Sequence, residues 1–68
     1  MNMLKDKIGI DAGRIWYFLD SNGDSEIEEI KLQLKLDNDD FYLALGWLAH
    51  ENKVSFYENE AKFYVFLN

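Results

Sequence analysis

The first third of the chain carries apolar residues at intervals of three and four, namely Ile8, Ala12, Ile15 and Leu19. This spacing places them on one face of an amphipathic helix. Asp11 follows Gly9 and has a short acidic side chain of the kind that caps helix N-termini, so we expect the helix to begin there. Asn22-Gly23 is a turn signal and predicts where the helix ends.

A second helix is predicted directly after this turn. Ser25 and Glu28 have the spacing of a capping box, in which each side chain accepts a hydrogen bond from a backbone N–H at the helix start. The apolar residues that follow lie on one helical face, and they are Ile27, Ile30 and Leu34. The intervening charged residues then face solvent, as in a surface helix.

A third helix and a β-hairpin complete the pattern. Asp37-Asn38-Asp39-Asp40 supplies capping side chains and charges that suit the N-terminal end of a helix, which would continue to about Asn52. Val54-Ser55-Phe56-Tyr57 and Lys62-Phe63-Tyr64-Val65-Phe66-Leu67 are rich in aromatic and β-branched residues, with a polar turn of residues 58–61 between them. Both faces of the second strand are apolar, so alternation leaves its inward face open.

Three helices followed by a hairpin, with a short turn between the second and third helices, predict an α+β winged helix-turn-helix architecture. We expect a single domain over residues 1–68, with room for a short additional strand near Asp24 and Glu26. Apolar anchors occur where this architecture needs them, at Leu36, Phe41, Leu45, Leu48 and Val54.

Three stretches carry a resemblance to a known family: Ile8-Gly9 with Ala12-Gly13-Arg14-Ile15-Trp16, then Ile27-Glu28-Glu29-Ile30, then Tyr42-Leu43-Ala44-Leu45-Gly46-Trp47-Leu48-Ala49. Together they resemble a small bacterial family of standalone winged helix-turn-helix proteins of unknown function. The resemblance covers nearly the whole chain, and its last stretch is the most specific. It implies the fold and brings no activity, cofactor or ligand with it.

Composition narrows the classes of function. The 68 residues include 7 Lys and Arg against 13 Asp and Glu, giving a formal charge of −6, and no cysteine. The absence of cysteine excludes disulfides and thiolate metal sites and suits a reducing compartment. The N-terminal segment lacks the apolar run of a signal peptide, and no stretch approaches a membrane span. We therefore expect a cytoplasmic protein.

We expect no catalytic residue, cofactor or metal site. The segment from Asp20 to Ile27 resembles the start of an EF-hand loop, but Ser25 and Lys31 stand where that loop needs a glycine and a bidentate glutamate. His50 is the only histidine, so neither a metal cluster nor a catalytic triad can be built around it. A small-molecule sensor would need a larger pocket than this size favours.

The elements that would face DNA in this architecture are acidic. From Asp37 to Lys62 there are two lysines and six carboxylates, a net charge of −4, whereas DNA affinity depends on cations that displace counterions from phosphates. DNA binding is kept as an alternative through a basic edge on the first two helices, formed by Lys5, Lys7, Arg14, Lys31 and Lys35.

The third helix is apolar on its outer side as well as its inner side. Its outer residues, Tyr42, Leu43, Gly46 and Trp47, form a patch typical of protein contacts. The leading hypothesis is therefore a non-enzymatic interaction module that binds a protein partner or a second copy of itself through this patch. The alternative is that Trp47 folds onto the wing or onto the segment Met1 to Ile8 and completes the core.

The remaining aromatic residues are predicted to belong mainly to the core. They are Trp16, Tyr17, Phe18, Phe56, Phe63, Tyr64 and Phe66.

Overall fold

The computed structural model describes residues 3–68. In chain order its elements are α1 (Met3–Asn22), β1 (Ser25–Glu26), α2 (Ile27–Leu34), α3 (Asn38–His50), β2 (Val54–Asn59) and β3 (Lys62–Leu67). The strands form one antiparallel sheet in the order β1-β3-β2. This is the predicted α+β winged helix-turn-helix arrangement, including the short strand near Asp24 and Glu26.

Helix α1 is longer than the capping signal predicts, because it begins at Met3 and continues through Gly9. The prediction that Asp11 caps the helix is wrong: Asp11 is buried in the helix interior, where Lys7 Nζ lies 3.1 Å from its Oδ2 atom. An interior glycine costs a helix only about 1 kcal/mol. The predicted end is confirmed, since Gly23 has a φ of 76° and its N–H donates to the Leu19 carbonyl.

The predicted capping box is also absent. Ser25 lies in β1 opposite Val65, and its hydroxyl donates to the Gly23 carbonyl at 2.9 Å. Glu26 occupies the N-cap position of α2 without a capping side-chain hydrogen bond. Pairing with β3 takes these two residues into the sheet, and the same polar residues that signal a cap are compatible with a short edge strand.

Helix α3 starts within the predicted acidic run and ends at His50, two residues before the predicted limit. Asn52 has a φ of 58°, the left-handed conformation that asparagine tolerates. In the wing, β2 continues to Asn59, so the predicted four-residue turn is shortened to Glu60 and Ala61. Both have positive φ, as a type I′ hairpin turn requires.

The core lies between the three helices and the inner face of the sheet. Its largest fully buried side chains are Phe41, Ile15, Ile30 and Val65. Val65 and Leu67 pack inward, which settles the face of the second wing strand.

Several aromatic residues predicted for the core lie outside it. Tyr17, Phe56 and Phe63 are exposed, whereas Trp16 and Phe18 cover the core from its edge. Tyr64 and Phe66 are half-buried on the outer face of the sheet. Apart from Phe41, the buried core consists of aliphatic residues, and the rings named here lie at its edge or at the surface.

None of the helices in residues 3–68 is both long enough and apolar enough to span a membrane.

Candidate protein-interaction surface

The outer side of α3 exposes large apolar residues. Trp47 is 44% exposed and Leu43, one turn earlier, is 45% exposed. Helical spacing of four residues places the two side chains on the same face. The inner side of the same helix buries Phe41, Ala44 and Leu45 in the core. The helix is thus apolar on both sides, as predicted, and only its inner side is covered in the described chain.

Helix α1 extends this apolar surface. Trp47 lines an open groove of about 680 Å³ together with residues from the first half of α1, which are Leu4, Lys5, Asp6, Ile8, Gly9 and Ile10. Leu4 remains 55% exposed beside it. We define a candidate interaction surface, called the interaction surface below, as Leu43, Gly46 and Trp47 of α3 with Leu4 and Ile8 of α1.

The groove shows how Trp47 lies relative to the alternative prediction, in which it folds onto the wing or onto the segment Met1 to Ile8 and completes the core. Its indole lies beside the N-terminal part of α1, in the direction of the segment Met1 to Ile8, although Met1 and Asn2 lie outside the described residues. Trp47 remains 44% exposed. Trp47 therefore borders the groove beside α1 without becoming part of the core.

Sequence reasoning missed Leu4 as a member of this surface. Leu4 precedes Ile8 by one helical turn and continues the apolar stripe of α1. The periodicity was present in the sequence, but the helix start was predicted after Gly9. A helix begun at the first apolar residue of the stripe would have included Leu4.

Tyr42 is oriented toward α2 rather than toward Trp47. Its hydroxyl lies 3.4 Å from Glu28 Oε1, and Lys31 Nζ lies 5.9 Å from the centre of its ring. Lys31 also forms a 3.0 Å ion pair with Glu28. Tyr42 therefore lies at the border of the surface, where contacts with α2 hold its ring.

Gly46 lies on the exposed side of α3 in the middle of the surface. A Cβ atom placed at this position would meet no atom of the described chain within 4 Å. Packing within the chain therefore does not require a glycine here. The missing side chain leaves the helix backbone accessible between Leu43 and Trp47, which suits close approach of another chain.

The basic residues named for DNA contact are largely engaged within the chain. Lys7 contacts Asp11 and also lies 3.5 Å from Asp40. Arg14 Nη2 donates to the Leu34 carbonyl at 2.7 Å.

Lys31 donates to Asn38 Oδ1 at 2.6 Å and pairs with Glu28. Lys5 and Lys35 are exposed, and Lys35 caps α2 with a φ of 55°. Lys7, Arg14 and Lys31 thus use their charges to hold helices together. This reduces the positive charge of the predicted basic edge that is available to bind phosphates.

Groups that could support chemistry are sparse. In the described part of the chain, no cluster of three or more His, Cys, Asp or Glu side chains could hold a metal ion. The EF-hand-like segment is used structurally, since Asn22 Nδ2 donates to the Phe18 carbonyl and Asp24 Oδ2 accepts from the Tyr57 hydroxyl. The His50 ring lies 6.2 Å from the Trp47 ring, at the edge of the interaction surface.

The helix order, the short turn before α3 and the antiparallel wing define a winged helix-turn-helix protein. Residues 3–67 match the family described as "Winged helix-turn-helix domain (DUF2582)", and the chain belongs to that family. The sequence resemblance to a small winged helix-turn-helix family is thereby confirmed.

A solved relative supports the same assignment. The chain is similar to a protein of Bacteroides thetaiotaomicron with a solution NMR structure, with 30% identity and a TM-score of 0.81. The match covers 93% of this chain and 77% of that one. No curated protein matches the chain. These likenesses show the fold and family, and they name no activity.

Proposed function

We propose that this protein is a non-enzymatic interaction module that pairs with a second copy of itself through the interaction surface on α1 and α3. The observation that carries the proposal is the exposure of Leu43 and Trp47 one turn apart on α3, together with exposed Leu4, which lines the same groove as Trp47. When such a patch of exposed apolar side chains packs against another surface, the side chains leave water and the free energy of the system falls.

A second copy suits this surface for geometric reasons. The surface combines a ridge, formed by Leu43 and Trp47, with a groove beside Leu4 and Ile8. A two-fold axis would place the ridge of each copy against the groove of the other, as an isologous interface requires.

Sedimentation velocity over a range of protein concentrations tests the proposal. The wild-type sedimentation coefficient should rise with concentration, whereas Trp47→Lys should remain monomeric because its ammonium would be desolvated at the interface. Tyr17→Lys is the matched control, since Tyr17 is exposed on α1 but does not line the groove.

Circular dichroism would verify that both variants are folded. A wild-type chain that stays monomeric, or a Trp47→Lys variant that associates like wild type, would refute self-association. If the chain associates only when a different protein is present, that protein is the partner and the second copy is not.

DNA binding is the second candidate because winged helix-turn-helix folds place α3 in the major groove. The exposed positions of Lys5 and Lys35, on the edge formed by the first two helices, favour it. Fluorescence anisotropy with mixed duplex DNA at low salt separates the two candidates. Binding that weakens steeply with salt would support DNA contact, and absence of binding at low salt would remove it.

A further inference from the structure

The outer face of the sheet carries a cluster of aromatic rings separate from the interaction surface. Tyr57 and Tyr64 are directly opposite each other in the β2–β3 pairing, and their rings stack with centroids 5.1 Å apart and planes 7° apart. The Phe66 ring lies 5.9 Å from that of Tyr57. The core takes the alternate residues Val65 and Leu67. We call Tyr57, Tyr64 and Phe66 the aromatic platform.

Carboxylates border the aromatic platform. Asp24 Oδ2 lies 3.4 Å from the Tyr57 hydroxyl, which donates to it. Glu26 is opposite Tyr64 in the β1–β3 pairing, and opposite residues of an antiparallel pair lie on the same face of a sheet. Burial, followed by the negative charge of Asp24, raises the pKa of Tyr57 above its ordinary value of 10.0. The platform thus combines ring faces with the carboxylates of Asp24 and Glu26, and Lys62 lies on the same face of β3 two residues before Tyr64.

This combination favours a cation over the other ligands that stack on aromatic rings. A ring face is the negative part of the aromatic quadrupole and attracts Arg or Lys side chains. Nucleic-acid bases also stack on such rings, but the phosphates that accompany them would meet a chain with a net charge of −6. A guanidinium fits better than an ammonium, since it is planar and can donate to a carboxylate while it stacks.

The sheet also has an edge to which the peptide segment that bears the cation can add as a strand. The strand order β1-β3-β2 leaves one side of β2 at the edge of the sheet in the described chain. An extended peptide can add to such an edge through backbone hydrogen bonds. Alternate side chains of the added strand would then lie on the outer face, beside Tyr57, which is 40% exposed.

We propose that the outer face of the sheet binds an arginine-containing extended segment of a basic partner protein, with a guanidinium stacked on Tyr57 and hydrogen-bonded to Asp24. This site is distinct from the proposed self-association surface and does not depend on it. The charge complementarity between an acidic platform and a basic segment is the observation that selects this occupant.

A titration followed by NMR tests the site. The probe is a short peptide that alternates threonine and arginine, and the readouts are the aromatic signals of Tyr57 and Tyr64 and the amide signals of β2. The control peptide replaces each arginine by citrulline, which keeps the planar shape and removes the charge. We expect shifts at the platform with the arginine peptide and much weaker binding of the citrulline peptide.

Two variants assign the interaction to its components. Tyr57→Leu should weaken peptide binding about two- to five-fold, the range of an exposed cation–π contact. Asp24→Asn should weaken peptide binding more than Tyr57→Leu does, and it should make the binding less dependent on salt concentration. Tyr17→Leu, at an exposed tyrosine of α1 outside the aromatic platform, should leave the affinity unchanged.

Three outcomes of the titrations would overturn the proposal. They are equal affinity for the citrulline peptide, unchanged affinity in both Tyr57→Leu and Asp24→Asn, and stronger perturbation of the same rings by oligothymidylate. Platform signals that shift with protein concentration alone would also overturn it, because a second copy would then occupy the face. Retained peptide binding by a monomeric Trp47→Lys variant would separate this site from the self-association surface.

Discussion

Lys7 reaches forward one turn along α1 to Asp11, with 3.1 Å between Nζ and Oδ2. The Asp11 side chain is almost completely buried, whereas half of the Lys7 side chain is exposed. The same ammonium lies 3.5 Å from Asp40 at the start of α3. Lys7 therefore supplies the countercharge for a buried carboxylate and also joins α1 to α3.

This arrangement predicts how stability depends on alkaline pH. Hydrogen bonding to Asp11 is the main cause that raises the pKa of Lys7 above its ordinary value of 10.5. A raised folded-state pKa means that the stabilisation is complete below 10.5 and is lost as pH rises through the folded-state value. Lys7→Met should be less stable than wild type at neutral pH, and the difference should shrink in strong alkali.

Urea unfolding at a series of pH values measures this difference. Lys62→Met is the control, because it removes an exposed lysine from β3. A constant difference between Lys7→Met and wild type across the alkaline range would contradict a role for the Lys7 charge.

The contrast between two phenylalanines predicts where the stability of the chain resides. Phe41 is completely buried, whereas Phe63 in the wing is 57% exposed. Phe41→Ala should cost about 3–5 kcal/mol of unfolding free energy, because it removes buried contacts and leaves a cavity. Phe63→Ala should cost no more than about 0.5 kcal/mol, as an exposed substitution does.

Thermal unfolding followed by circular dichroism compares the two variants. A domain of this size has a total stability of about 3–10 kcal/mol, so Phe41→Ala should be partly unfolded near room temperature. Similar midpoints for the two variants would contradict the assignment of the core.

The wing turn predicts a substitution that stabilises the fold. Ala61 has a φ of 65°, a left-handed conformation that costs a residue with a Cβ atom about 1–2 kcal/mol and that glycine adopts freely. Ala61→Gly should therefore raise the unfolding free energy by about 1 kcal/mol after the entropy of the more flexible unfolded chain is included.

The same chemical change in a helix provides the control. Ala49 lies within α3, where Ala49→Gly should lower stability by about 1 kcal/mol. Opposite signs in urea unfolding would confirm that backbone conformation determines the effect. A loss of stability in Ala61→Gly would contradict the positive φ of the turn.

A substitution at Gly46 should have opposite effects on the stability of the fold and on association. The space around it is open in the described chain, so Gly46→Ala should stabilise α3 by about 0.5–1 kcal/mol. If a second copy approaches the helix closely there, the added methyl group should at the same time weaken association. Urea unfolding of dilute protein and sedimentation of concentrated protein measure the two effects.

Gly13→Ala is the matched variant, since Gly13 lies in α1 with equally open surroundings. It should raise stability similarly and leave association unchanged. Equal association of Gly46→Ala and wild type would show that the interface does not include this part of α3.

Local patterns predicted the elements whose stabilising partners are near in sequence. The stripe of Ile27, Ile30 and Leu34 identified α2, and Gly23 marked the end of α1. The exposed pair Leu43 and Trp47 was predicted because helical periodicity left no inner position for it. In each case the deciding interaction lies within one helix or its adjoining turn.

The features that were mispredicted depend on partners distant in the chain. Ser25 pairs with Val65 across the sheet, so a strand replaced the capping box suggested by its neighbours. Asp11 is buried beside Lys7, whose ammonium also reaches Asp40, and a cap preference cannot report such a contact. The stacking of Tyr57 on Tyr64 likewise exists only once the hairpin register is known.

The extension of α1 beyond Gly9 has a thermodynamic consequence for the whole surface. Short helices in water are marginally stable unless other groups cover their apolar side. Met3 and Leu4 are largely exposed on the first turn of this helix, so the helical order of that turn and the covering of Leu4 and Trp47 are linked equilibria. Any molecule that binds this surface only when the turn is helical must stabilise the helix by mass action, and a shorter α1 would weaken its binding.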